Sequence, residues 1–253
     1  MNSISRCLCA IAAVGLAACA EVPTDPEERA AFEANNDPWE PMNREVFDFN
    51  LKLDRAVLRP VAVAYRDTLP QPAQDGIRNA SDNLGEPITF VNETLQARIT
   101  DAAKTFARFF LNTTLGLGGL FDVAGNAHID KPEADFGQTL YVWGIKDGGP
   151  YLVLPFVGIG SNPRDTFGMV VDAVGDPVSL AASNNGLIGY EIGLSALSLI
   201  DRRARIIDQF DELQKGSLDF YAKMRSIQRQ RRNAQLGINE DEDSPVPLSD
   251  PAK

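Results

Sequence analysis

Apolar residues after the first 36 positions recur mostly with the spacing that is typical of helices. Asp37 has the character of an N-cap and Glu40 follows it by three residues, a pattern that predicts a capped helix start. Inside this helix, Phe47, Phe49 and Leu51 are spaced two residues apart, and residues so spaced cannot share one helical face. The pattern therefore predicts a helix that is apolar on more than one side.

The remaining apolar runs predict further helices, separated by proline and glycine. The predicted starts of these helices are Pro87, Thr100, Asn162, Leu187 and Ser217. The helix from Leu187 is predicted to be long or kinked, and the last helix ends near Gln235. These elements predict an all-α fold, in which one domain of amphipathic helices needs apolar cover on several sides.

The central stretch Gly144–Gly160 departs from this helical pattern. It joins two β-prone runs, Phe136–Trp143 and Tyr151–Val157, around a Gly/Pro turn, which is typical of a hairpin or a hydrophobic loop. Pro155 has no N–H to donate to a ladder, and the glycines weaken a regular sheet. So apolar a segment must be covered, either by the rest of the domain or by membrane lipid.

The first 18 residues have the pattern of a removable lipoprotein signal peptide. A positively charged start with Arg6 precedes the apolar stretch Cys7–Ala17. The segment Leu16-Ala17-Ala18-Cys19 resembles the bacterial lipobox, in which the cysteine is acylated after cleavage. Cys19 is therefore the predicted lipidation site and the one cysteine of the mature chain.

No other segment has the composition of a membrane-spanning helix. The uncharged runs outside the signal, among them Phe109–Phe121 and Pro177–Tyr190, are shorter than the roughly 18–20 apolar residues that a span requires. Membrane contact is therefore predicted to occur through the acyl anchor and through helices that lie in the lipid.

Composition divides the chain into four segments. Residues 1–18 are the signal peptide, 19–36 an acylated amino terminus and tether, 37–236 the helical domain, and 237–253 a disordered acidic tail. The net charge is −11, and the loss of Arg6 with the signal makes it −12, which argues against nucleic acid as a partner. The stretch 202–232 is locally basic, which is typical of a solvated face or of salt bridges to the acidic remainder, and alternatively of contact with anionic lipid headgroups.

The residues that catalysis and metal binding need are scarce. His128 is the single histidine, acylation uses the last thiol, and neither a Gly-x-Ser-x-Gly motif nor a Gly-rich phosphate loop is present. Asp147 lies in the central stretch and Asp135 and Asp165 lie on either side of it. These acids are expected to cap helices or to pair with Arg164 and Lys146 rather than to catalyse. The sequence thus predicts a non-enzymatic protein with no catalytic residues, no metal and no cofactor.

Several blocks in fixed order resemble the MlaA (VacJ) family of outer-membrane lipoproteins, over roughly residues 37–232. The blocks are Asp37-Pro-Trp-Glu, Asn43-Arg44, Arg59-Pro-Val-Ala, Asn112-Thr-Thr-x-Gly116, Asp135-Phe-Gly-Gln-Thr-Leu and Gly149-Pro-Tyr-x-x-Leu-Pro155. The chain departs from the family pattern at Gly148-Gly149, which is one residue longer than usual, and again after Pro155.

The resemblance implies a ring-like, mostly helical protein embedded in the outer membrane from its periplasmic side. Family members take mislocalised phospholipids from the outer leaflet through a central channel and pass them to a periplasmic lipid carrier, and they associate with trimeric porins. Two alternatives remain at this point: a lipoprotein that only scaffolds porins, and a lipid hydrolase.

The resemblance also marks candidate site residues. Asn43, Arg44, Asn112, Thr113 and Thr114 are polar residues amid apolar ones, so they either line the channel or cap helices and bond internally. The Gly/Pro-rich central stretch is the candidate gate. Its candidate residues are Trp143, Gly148, Gly149, Pro150, Tyr151 and Pro155.

Overall fold

The computed structural model describes residues 36–156 and 160–238. The predicted signal peptide, Cys19, the tether up to residue 35, the acidic tail from residue 239 and loop positions 157–159 lie outside the described residues. Within those residues the chain is mainly helical, which confirms the predicted fold class.

Apart from the central stretch, most of the helices follow one another with short connections. They are α1 (Glu40–Leu53), α2 (Arg59–Thr68), α3 (Gln71–Leu95), α4 (Ile99–Thr114), α5 (Val123–Asn126), α6 (Phe136–Val142), α7 (Pro163–Gly175), α8 (Pro177–Asn184), α9 (Ile188–Arg205), α10 (Ile207–Gly216) and α11 (Phe220–Leu236). A π-helical segment, Asp54–Leu58, joins α1 to α2. Helix α11 ends at Gly237, whose φ of 68° is the left-handed conformation that favours glycine at a helix end.

The predicted N-cap role of Asp37 is wrong, because tertiary contacts claim its side chain. Helix α1 begins at Glu40 behind Trp39 with no side-chain cap. Asp37 is buried instead, and its carboxylate accepts hydrogen bonds from Asn43 of α1 and from Tyr221 and Arg225 of α11. It therefore joins the two ends of the described chain.

The predicted helix start at Pro87 is also wrong. Helix α3 runs unbroken through Pro87, although proline removes a helical hydrogen bond at that point. Contacts to α4 hold the same turn in place, since Asn83 donates to Thr113 at 2.9 Å and Glu86 accepts from Arg108 at 3.2 Å. The packing of α3 against α4 thus overrides the local preference of the proline.

Other predicted helix boundaries shift for similar reasons. Thr100 and Ser217 are not N-caps: α4 follows Arg98, and Asp219 caps α11 by accepting from the Ala222 N–H. The predicted long helix from Leu187 is interrupted at Ile206, so it is kinked. The predicted helix start at Asn162 is confirmed, since its side chain caps α7.

The β-prone interpretation of Phe136–Trp143 is wrong, because the segment Phe136–Val142 is helical. Asp135 caps this helix by accepting from the Gln138 N–H at 2.8 Å. In the part of the chain that the structure describes, strand-like pairing is confined to one antiparallel bridge between Leu152 and Ser161. The central stretch is therefore an irregular loop rather than a hairpin that continues from Phe136.

Two small apolar clusters hold the helices together. The first joins α1, the central loop and α11 through Phe47, Tyr151, Val153, Tyr221 and Met224. The second joins α2, α9 and α10 through Ala62, Tyr65, Ala204 and Ile207.

The interface between α3 and α4 buries polar side chains and leaves apolar ones outside. Arg108 of α4 bonds to Glu86 of α3, and Glu93 of α3 is fully buried, which raises the pKa of its carboxyl. Phe106 and Phe110 on the outer side of α4 are 58% and 55% exposed. This arrangement is the reverse of that in a water-soluble domain.

The same inversion extends over the described residues. More polar and charged side chains are buried there than hydrophobic ones, while many large hydrophobic side chains on α3, α4, α7, α8 and α9 are exposed. None of the described helices is both long and apolar enough to cross a membrane. The exposed apolar surfaces therefore require cover from outside the chain.

Helices α6 and α7 approach each other so closely that only glycine fits at their crossing. A Cβ added to Gly168 would lie 2.3 Å from the Gly137 N and 2.8 Å from the Gly137 Cα. Both contacts are with backbone, so they cannot be relieved by turning a side chain.

We expect Gly168→Ala to lower the free energy of unfolding by about 1–3 kcal/mol, because the added methyl group overpacks the crossing. Gly175→Ala in the same helix is the matched control, since its Cβ would meet nothing within 4 Å. Denaturant unfolding in detergent measures both. Equal stabilities of the two variants would contradict the close crossing.

Candidate functional site

Helices α3, α7, α8 and α9 surround a cavity of about 560 Å³. Part of its wall is apolar and comes from Leu84 and Ile88 of α3, Val178 of α8, and Leu194 and Leu199 of α9. Leu199 is also exposed, so the apolar wall continues to the surface of the domain.

The rest of the cavity wall is polar and carries charges of both signs. The polar lining consists of Ser81, Asp172, Asp176, Ser179, Ser195, Ser198 and Arg202. A cavity with one apolar and one charged side suits an amphipathic molecule, because each part of such a molecule finds matching surroundings. We call this cavity the four-helix cleft.

The two carboxylates in the cleft are held by hydrogen bonds. Asp172 of α7 accepts from the Asn92 side chain at 2.7 Å and from the Phe136 N–H at 2.9 Å, while burial raises its pKa. Asp176 caps α8 and accepts from the N–H groups of Val178 and Ser179. Both acidic groups are thus positioned before any ligand enters.

Helix α9 contributes a polar row to the cleft because of its residue spacing. Ser195, Ser198 and Arg202 follow at intervals of three and four, which places them on one helical face. Arg202 is exposed, and among the described residues it has no ion-pair or hydrogen-bond partner.

The candidate site residue Asn43 lies elsewhere, in a clamp between α1 and the central loop. Its side chain donates to the Tyr151 carbonyl at 3.0 Å and accepts from the Val153 N–H at 2.9 Å. Asn50, seven residues further along α1, repeats this pattern with the Leu154 carbonyl and the Phe156 N–H, both at 3.0 Å. We call these two residues the asparagine clamp.

The other polar candidates also bond within the protein. Arg44 pairs with Glu40 and with Asp219, and its hydrogen bonds lower the pKa of Asp219 to about 2. Asn112 donates to Asp122 at 3.0 Å and accepts from the Ala124 N–H at 2.9 Å.

The two threonines complete this set. Thr113 accepts from Asn83 of α3, and Thr114 donates to the Phe110 carbonyl of its own helix. None of the five polar candidates lines the four-helix cleft. A role for them in lining a passage stays a prediction.

The candidate gate residues are spread over the central loop. Trp143 is exposed and donates to the Leu95 carbonyl at 3.1 Å. Pro150 is half-buried and Pro155 is exposed. Gly148, Gly149 and Tyr151 border a smaller cavity of about 180 Å³ against α11.

Gly148 and Gly149 lie where a larger residue would be crowded or strained. Gly149 has a φ of 80°, and a Cβ at Gly148 would come within 2.8 Å of the Asn162 side chain. Movement of the loop stays a prediction.

Asp135 and Asp165, beside this smaller cavity, form ion pairs with arginine. Arg232 binds Asp135 at 2.6 Å and Asp165 at 2.7 Å, and Arg164 adds a bond to Asp165. Burial acts to raise the pKa of Asp165, yet the bonds from Arg232 and Arg164 hold it below its usual value. The salt-bridge interpretation of the basic stretch is therefore confirmed for Arg232.

Sequence reasoning missed the residues of the four-helix cleft. Asp172 and Asp176 lie close together around the junction of α7 and α8, whereas Arg202 comes from α9, so no local motif unites the acids with the arginine. The spacing of Ser195, Ser198 and Arg202 in an otherwise apolar helix is the signal that was available.

No group of histidine, cysteine and carboxylate side chains that could hold a metal ion occurs in residues 36–156 and 160–238.

Comparisons with known proteins agree with one another. A family model described as "MlaA lipoprotein" matches residues 35–235. The intermembrane phospholipid transport system lipoprotein MlaA of Escherichia coli (strain K12) is 38% identical over 228 residues, covering 86% of this chain and 83% of its own length. An uncharacterized protein of Rickettsia bellii is 38% identical over 205 residues, covering 79% and 76%.

A solved structure is similar as well. It comes from work on the structural basis for maintenance of bacterial outer membrane lipid asymmetry. Its TM-score to this chain is 0.69 at 39% identity, and the match covers 79% of this chain and 98% of the solved one.

We expect Asn43→Ala to lower the free energy of unfolding by about 2–5 kcal/mol, because the Tyr151 carbonyl, the Val153 N–H and Asp37 lose a buried partner. Asn126→Ala is the matched control, since Asn126 is exposed; its stability should stay within about 0.5 kcal/mol of the parent. Thermal and denaturant unfolding of the purified protein measure both. A stable Asn43→Ala protein with impaired lipid transport would instead support the channel-lining role.

Proposed function

Because the chain belongs to the MlaA lipoprotein family, we propose that it removes mislocalised phospholipids from the outer leaflet of the outer membrane and so maintains lipid asymmetry. The names of two of its relatives support this function: each is a lipoprotein of an intermembrane phospholipid transport system. The lipid would leave through the protein towards a periplasmic lipid carrier.

The observation that carries the proposal is a charged, serine-lined cleft within a domain whose outer helices are apolar. A phospholipid that moves between leaflets must carry its charged headgroup through hydrocarbon, which costs several kcal/mol or more when the charges are unpaired. Polar groups in the cleft would lower that barrier, while the acyl chains stay against apolar surfaces such as Leu84, Ile88 and Leu199. Transport of this kind needs no covalent step.

The apolar exterior supports a position in the membrane. Phe106, Phe110, Phe167 and Val170 are more than half exposed, which is costly in water and favourable in lipid. We propose that these helices lie in the outer membrane from its periplasmic side, with acylated Cys19 as the anchor. A trimeric porin and a periplasmic carrier protein are the proposed partners.

Deletion of the gene should raise the amount of outer-leaflet phospholipid, and the wild-type gene should restore the normal level. A membrane-impermeant amine reagent that labels exposed aminophospholipid on whole cells measures both. Mass spectrometry of total lipid serves as the control for altered synthesis. An unchanged outer leaflet in the deletion strain would contradict the function, and release of fatty acid on incubation with phospholipid would indicate a hydrolase.

Complementation with the double variant Phe106→Asp and Phe110→Asp tests the membrane position in the same strain. Two carboxylates on this face would have to enter hydrocarbon. Membrane association of the protein and its removal of outer-leaflet phospholipid (clearance) should therefore both fall. Gln209→Asp is the matched control, since it adds charge at an exposed polar position of α10. If the double variant removed outer-leaflet phospholipid as well as the wild type does, this face of α4 would not lie in lipid.

Cys19→Ser should leave unprocessed precursor and reduce clearance, because the acyl anchor is lost. Some membrane association should persist through the exposed apolar helices. Acyl labelling and fractionation of cells measure the two effects. Normal maturation and clearance by this variant would exclude lipidation as the targeting device.

A further inference from the structure

Arg202 differs from the arginines beside it. Arg203 binds Asp54 through two hydrogen bonds of 2.7 and 2.9 Å, and Arg205 pairs with Asp201 at 2.6 Å. In the part of the chain that the structure describes, Arg202 has no such partner, and its side chain lines the four-helix cleft. An exposed guanidinium without a carboxylate partner is suited to bind a phosphate.

The cleft also carries two carboxylates, those of Asp172 and Asp176. Each already accepts hydrogen bonds from the protein, but a carboxylate offers about four lone-pair sites and can accept further donors. A ligand ammonium group can therefore bind to either acid without breaking the bonds that position it. Ser195 and Ser198, on the face of α9 that carries Arg202, supply hydroxyl groups for the rest of a headgroup.

We infer that the four-helix cleft is a selective headgroup site, in which Arg202 binds the lipid phosphate while Asp172 and Asp176 bind the ammonium of a zwitterionic, amine-bearing headgroup. This inference rests on the proposed function and adds the class of phospholipid that the protein prefers.

Charge decides the preference. A phosphatidylethanolamine headgroup presents one anionic and one cationic group, and both find a partner in the cleft. A phosphatidylglycerol headgroup presents the phosphate alone, so it gains Arg202 but faces two carboxylates with no cation of its own. Specificity arises from this repulsion as much as from the attraction.

The test uses the full acylated protein, purified in non-ionic detergent and incubated with vesicles of equal parts phosphatidylethanolamine and phosphatidylglycerol. The protein is then re-isolated, and mass spectrometry measures the amount and the ratio of the two bound lipids. We expect the wild type to hold phosphatidylethanolamine in excess over the vesicle ratio.

Substitutions in the cleft should separate the two contacts. Arg202→Gln should lower the total bound lipid about tenfold, since a charge-assisted contact to phosphate is lost, and Arg202→Lys should retain most of it. Asp176→Asn should shift the ratio towards phosphatidylglycerol while it keeps the helix cap, because asparagine is also a good N-cap. Arg231→Gln is the matched control, since Arg231 is exposed on α11 and does not line the cleft.

Each outcome bears on the inference. Bound lipid in the vesicle ratio, or Arg202→Gln with the wild-type amount of lipid, would overturn it while the transport function stands. A wild type that neither binds lipid nor restores the outer leaflet of the deletion strain would contradict the proposed function itself. Circular dichroism melting tests whether each variant is folded, and all four variants alter side chains that are not part of the apolar clusters.

Discussion

The asparagine clamp is the constraint on which the rest of the architecture depends. The central loop is rich in glycine and proline and, among the described residues, has no neighbouring strand to bond its backbone N–H and C=O groups. The side chains of Asn43 and Asn50 provide hydrogen bonds to some of these groups instead. Towards the loop, each asparagine uses one N–H donor and its carbonyl acceptor, as a peptide group does. With the loop held in this way, Tyr151 and Val153 can enter the apolar cluster formed with α11.

A second constraint follows from the inverted distribution of polar and apolar residues. The seam between α3 and α4 is held by a buried ion pair, Arg108 with Glu86, instead of by an apolar core. Loss of either partner would leave an unpaired buried charge, which is strongly destabilising. The phenylalanines that another protein would bury there face outwards, so this surface is left to be covered from outside the chain.

The four-helix cleft results from packing between elements that are distant in sequence. Helix α3 supplies Ser81, helix α7 supplies Asp172, and helix α9 supplies Arg202. The capping hydrogen bonds that define α8 also place Asp176 in the wall, so one residue serves the fold and the site at once. A site assembled in this way has polar groups in fixed positions, which suits recognition of a charged headgroup.

The sequence alone determined the helical fold class and the family. It also determined the helix start at Asn162, because a side chain that caps a helix bonds to N–H groups two or three residues away. It did not determine that Asp37 pairs with Arg225, which lies 188 positions further along the chain. Contacts with other segments of the chain likewise hid the helical state of Pro87 and of Phe136–Val142, where packing outweighs local propensity. Only the tertiary structure decided these points, because the interactions responsible exist only once distant segments are in contact.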